Sequence, residues 1–276
     1  MKKRNDSKIT MAALMMMAAM AMTSCASSKK INGDSNVSKD SEMGKNEEDL
    51  DNSYLVLSDT QQDIVKKNNA FALRLFNKVT DMESKVISPM SVSYLMGMLA
   101  NGADGITQQE ILKAIGCEGV SVNDLNELYK AMLLHANHQD KQTTVNIANY
   151  IAVNKNFKLN KNFSQQVSDS YQAGIESLDF TSSKSTDRIN GWCKEKTNGM
   201  IPRIIDQVSA DAVSYLMNAI YFKGIWQNKF NAKDTKLENF RGYTRDIQKV
   251  EMMHQVKKLF YAENKDFKAV DLPYGN

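Results

Sequence analysis

Apolar residues run almost unbroken from Val213 to Trp226 and trace no helical stripe. The run is rich in β-branched and aromatic side chains, which predicts a long strand covered on both faces and central in a sheet. Asn218 stands polar in its middle, and an amide buried there requires hydrogen-bond partners. A helical period governs the region before it. Ile64, Ala70, Leu73, Leu75 and Phe76 predict a helix over 59–79, with Asp59 or Thr60 as N-cap. Val86-Ile-Ser-Pro89 reads as extended, because the residue before a proline avoids the helical region. Residues 90–100 predict a helix that is apolar on most sides, and Asn101-Gly-Ala-Asp-Gly105 breaks it. Thr107-Gln-Gln-Glu110 matches a capping box opening a helix that ends near Gly116. Residues 123–137 predict a further amphipathic helix.

Strands are expected over 145–153 and 173–180, around a short helix over 159–171. A helix over 185–197 closes at Asn198-Gly199. After the long strand, 249–255, 258–263 and 267–272 are β-like. Helices come first, strands and helices then mix, and strands dominate the end. That order predicts an α+β fold rather than a repeating βαβ one.

Charge narrows the partners. The net charge of +3 is carried by the first eight residues, so the rest of the chain is formally neutral. No basic stripe points to nucleic acid. The N-terminus instead reads as a targeting segment: Lys2, Lys3, Arg4 and Lys8, then an apolar run from Ile9 to Met22, then small residues. Met22-Thr-Ser-Cys25 resembles a bacterial lipoprotein processing box, with Cys25 as the lipidated residue. Each buried CH₂ of an acyl chain contributes about 0.8 kcal/mol to membrane binding. The expected organisation is a signal peptide over 1–24, a polar flexible tether over 25–54 and a globular domain over 55–276. The expected location is the cell envelope, exported and lipid-anchored, with secretion as the alternative. Cys117 and Cys193 are too few for a disulfide framework and are expected to be reduced and structural.

Catalytic motifs do not assemble. There is no Gly-x-Ser-x-Gly elbow, phosphate-binding glycine loop or Cys-x-x-Cys. His135 and His138 have i, i+3 spacing, but no Cys or further His stands near them in the sequence to complete a metal site. No cofactor, no metal and no enzymatic activity are expected.

A family resemblance gives these blocks a common meaning. Asn218-Ala-Ile-Tyr-Phe-Lys-Gly-Ile-Trp226, followed by Phe230, Thr235 and Phe240, resembles the signature of the serpin family of protease inhibitors. Ser88-Pro-Met-Ser-Val92, Asn101–Thr107, Ile147-Ala-Asn149, Ile189-Asn-Gly-Trp192 with Thr197 and Gly199, Val250–Gln255 and Leu272-Pro-Tyr274 resemble further blocks of that family in the same order. The resemblance implies N-terminal helices packed on a large central mixed sheet, plus part of a second, barrel-like sheet.

The resemblance also implies roles. Ser88, Ser91 and Asn218 match the polar cluster under the middle of the main sheet, and Trp226 matches the aromatic where loop insertion begins. For Ser88 a simpler role is equally open, that of helix N-cap before Pro89. For Trp226 it is plain core packing. The implied mechanism is a trap: a protease cleaves an exposed loop, forms an acyl-enzyme and is carried along as the loop inserts into the sheet. The expected partner is a serine or cysteine protease, met by a monomer. The alternatives are a non-inhibitory serpin and a surface-binding lipoprotein. By the resemblance, the reactive loop follows the last matched block. No reactive bond is therefore expected among the 276 residues, and the chain is expected to be a C-terminally truncated piece, inactive alone.

Overall fold

A computed structural model describes residues 55–81, 85–136, 143–243 and 245–275. Cys25, the signal peptide, the tether and His138 lie outside the described residues.

Four helices open the domain: α1 (Asp59–Val79), α2 (Pro89–Asn101), α3 (Gly105–Ala114) and α4 (Val122–Ala136). Ser58, not Asp59 or Thr60, caps α1 through a reciprocal box with Gln61. The box expected at Thr107 does not open α3. Asp104 caps it from three residues earlier, its Oδ1 accepting from Gly105 N–H at 2.7 Å. Next come β1 (Thr143–Asn154), α5 (Lys161–Tyr171), β2 (Gly174–Leu178), α6 (Ser183–Lys196) and β3 (Ser214–Gly224). The chain then forms β4 (Lys236–Arg241), β5 (Ile247–Met252), β6 (Tyr261–Glu263) and β7 (Lys268–Val270).

The main sheet has the order β2-β1-β3, with β2 parallel and β3 antiparallel to β1. Alternation splits each strand between two cores. Ile147 and Ile151 of β1 and Leu216 and Ile220 of β3 face the cluster formed by the first helices and α5. Tyr150 and Ala152 of β1, with Met217 and Ala219 of β3, face α6. Helices thus cover both faces, as the apolar run over 213–226 requires.

Among the described residues the long strand is the outermost of the three: β3 pairs with β1 on one side, and its expected central place is not seen in this length of chain. β1 is the middle strand. An apolar pattern records what covers a strand's faces and carries no information about its edges. The pairs β4–β5 and β6–β7 form separate two-stranded units. Among the described residues no helix is long and apolar enough to cross a membrane.

Candidate functional site: the free edge of the main sheet

Asn218 sits in the middle of β3, directly opposite Asn149 of β1. Its Nδ2 donates to Asn149 Oδ1 at 2.8 Å, and Asn149 Nδ2 donates to the Tyr171 carbonyl at 2.7 Å. That carbonyl ends α5, where helix geometry leaves acceptors without intrahelical donors. Asn149 therefore has a partner at each end, gripping β3 with one and α5 with the other. Asn218 is not saturated: its Oδ1 is buried and has no hydrogen-bond partner. A buried orphan acceptor costs about 1–3 kcal/mol, and here it lies on the strand with the free edge. Sequence reasoning gave Asn149 no role in the site. The signal was present, since Asn149 interrupts the apolar face of Ile147 and Ile151 as Asn218 interrupts that of Leu216 and Ile220.

Ser88 and Ser91 are buried at the start of α2. Ser88 Oγ accepts from Ser91 N–H at 2.9 Å, so Ser88 is the N-cap of α2 with Pro89 in the first turn. No hydrogen bond joins either serine to Asn218 among the described residues. The structure thus pairs Asn218 with Asn149 and leaves the serines in a local cap.

Tyr171 continues the polar path into the helical layer. Its hydroxyl donates to Asn126 Oδ1 at 2.7 Å. Asn126 and Asn101 exchange two amide hydrogen bonds of 2.9 Å each, and Asn101 also donates to the Gly97 carbonyl. Gly97 is the notch that admits the ring: a Cβ there would stand 2.4 Å from Tyr171 Oη and 3.0 Å from Tyr129 Cε2. Tyr94, Tyr129 and Tyr171 pack edge-on or tilted around it. Burial pushes all three phenols well above their ordinary range, so they act as hydrogen-bonding groups and not as acids.

Trp226 lies just past β3. It stacks on Tyr274 at 4.2 Å between ring centroids and meets Phe230 edge-on at 5.9 Å. Backbone bonds from Gln227 N to Pro273 O and from Gly275 N to Ile225 O bind the two segments together. Gly224 has no room for a side chain, since a Cβ would come within 2.7 Å of Tyr274 and 2.9 Å of Phe222. Trp226 is half-buried, and its ring clamps the end of β3 to the final segment of the chain.

Residues 66–276 match the family model described as Serpin (serine protease inhibitor). The chain belongs to the serpin family. It is 30% identical to serine protease inhibitor 42Dd of Drosophila melanogaster over 208 residues, covering 74% of this chain and 56% of that protein. It is 33% identical to leukocyte elastase inhibitor of Bos taurus over 216 residues, covering 75% and 56%. Among solved structures it is similar to the thermophilic serpin Tengpin in the latent state, with a TM-score of 0.70 and 32% identity, over 79% of this chain and 58% of that one. The chain therefore spans a little over half the length of these relatives. At the level of the family the function is protease inhibition, as the family model's description and these two relatives' names state.

Proposed function

We propose that this serpin inhibits serine proteases by taking up an extra strand beside β3. The observation that carries the reading is Asn218, whose Oδ1 is buried without a partner on a strand that pairs on one side only among the described residues. A strand laid beside β3 satisfies the exposed backbone groups of that edge and brings donors past this oxygen. In the reading taken from the family, that strand is a loop cut by the target protease, still esterified to the protease serine. The loop comes from the part of the relatives' length that this chain does not span, while residues 66–276 contribute the receiving sheet. Ser88, Ser91 and Asn218 serve the opening of the sheet, and Trp226 serves the end where insertion starts.

The test has two arms. The chain is titrated with peptides rich in Ala, Ser and Thr and as long as β3, 11 residues. Saturable binding with a raised melting temperature is expected, and absence of binding overturns the strand-accepting reading. The polypeptide extended through the loop region is then incubated with trypsin-like and elastase-like proteases. An adduct that survives SDS is expected. Loop cleavage without adduct across the panel rejects inhibition and points to a non-inhibitory serpin.

We also infer that the protein is a monomer held at the cell envelope through lipid on Cys25. Fractionation of the wild type and C25A tests the anchor: a membrane-bound wild type and a released variant are expected, and a released wild type contradicts it.

A further inference from the structure

α6 lies across the sheet face opposite the main helical cluster and is pinned at separate points. Over β1, Trp192 stacks on Tyr150 at 5.1 Å with the rings 20° apart. At the end of the helix, Asn146 of β1 donates to the Lys196 carbonyl at 3.1 Å. Towards β2, Arg188 makes a two-point ion pair with Glu176: Nη2 to Oε2 at 2.8 Å and Nε to Oε1 at 3.2 Å. The Tyr150 hydroxyl donates to the same Oε2 at 2.8 Å, and the Arg188 guanidinium lies 5.6 Å over the Tyr150 ring. One carboxylate on β2 thus gathers donors from β1 and α6, with the bidentate geometry that makes an arginine pair directional.

This arrangement bears on the free edge. α6 also packs on Met217 and Ala219, the neighbours of Asn218 on β3. In a twisted sheet each strand is rotated by about 20–25° from its neighbour, and a helix pinned to β1 and β2 resists any shift of β3 beneath it. We propose that Glu176, Arg188 and Tyr150 form a latch that fastens α6 to the sheet and sets how often this helix lifts. The consequence for inhibition rests on the strand-accepting reading: a weaker latch opens the sheet sooner.

Protonation of Glu176 opens the latch, because the acid loses its charge and one acceptor site. The groups acting on this carboxylate are Tyr150 from β1 and Arg188 from α6. Glu195, further along α6, acts on Arg188 and is itself paired with Lys196. Burial works to raise the Glu176 carboxyl, and the Tyr150 and Arg188 hydrogen bonds outweigh it and hold it below the usual range. The latch therefore stays closed until the solution is more acidic than a free glutamate requires.

Amide hydrogen exchange of the full chain tests the proposal with E176Q and R188M. Both substitutions fall on side chains that are 36% and 44% exposed, where folding is not at stake. Exchange in α6 should rise about fivefold in each variant, while α2 and β1 hold their rates. In the wild type, acid should produce the same change relative to α2, and E176Q should show no such step. Unchanged α6 exchange overturns the latch, as does equal acceleration of every element. No protease enters this experiment, so its failure leaves the inhibitory reading untouched. Failure to form adducts likewise leaves the latch untouched.

Discussion

Replacing Asn149 by alanine should cost far more stability than replacing Asn218, although the two face each other across one strand pair. Asn149→Ala removes the bond from Asn218 Nδ2 and the bond to the Tyr171 carbonyl. It leaves the carbonyl at the end of α5 unsatisfied and strands both ends of the Asn218 amide, since Asn218 Oδ1 is already without a partner. At about 1–3 kcal/mol for each stranded group, the loss is about 4 kcal/mol. Asn218→Ala removes a single bond and orphans Asn149 Oδ1, but it also deletes an acceptor that was unsatisfied from the start. The two effects nearly offset, and about 1 kcal/mol remains. For a domain of this size each kcal/mol moves the melting temperature by about 2–4 °C. Asn149→Ala should therefore melt about 10 °C below the wild type, and Asn218→Ala within about 4 °C of it. Urea unfolding with a common m-value provides the free energies. An Asn218→Ala loss equal to or larger than the Asn149→Ala loss would refute the reasoning, because it would mean that Asn218 Oδ1 is satisfied.

Other outcomes follow from the same geometry. Gly97→Ala drives a methyl into Tyr171 Oη and should cost about 1–3 kcal/mol with a change in tyrosine near-UV circular dichroism; an unchanged spectrum and melting point would show that the notch is not filled. Hydrogen bonds from Lys155 and Thr181 hold the Asp179 carboxyl down at about 2. A depressed carboxyl adds stability above its unfolded value of about 4, and that stability fades as pH falls towards about 2. The melting-point gap between wild type and D179N should accordingly shrink across that window; a gap that stays constant would remove Asp179 from the acid response. Burial pushes the Cys117 and Cys193 thiols up, so neither should react with iodoacetamide at neutral pH until the chain is unfolded. Fast labelling of the native protein would contradict that placement.

The elements were legible in the sequence because periodicity is a local signal. The helix over 59–79 and the strand over 145–153 stand where their apolar spacing puts them, with ends shifted by a residue or two at most. Caps were less legible. Ser58 lies one residue before the cap expected at Asp59 and Asp104 three before the one expected at Thr107, which stands exposed inside α3. Which strands flank β3 could not be read at all. Helices on both faces make an edge strand as apolar as a central one, and only pairing distinguishes them. The candidate site was half visible. Asn218 and Trp226 announced themselves as odd residues in a strand pattern. The Asn149 bridge to Tyr171, however, joins residues 22 positions apart, and the Tyr171–Asn126 bond spans 45. Such contacts exist only once α5 has folded back against the sheet. Ser88 accepts from Ser91 N–H and so caps α2, a role that is compatible with a place in the polar cluster.

The free edge of β3 is tested most directly by amide exchange along Ser214–Gly224 with and without a bound 11-residue peptide strand. The account predicts new protection at those β3 amides that make no bond to β1, and little change in β1 itself. A peptide that binds while leaving the β3 amides as exchangeable as before would contradict it.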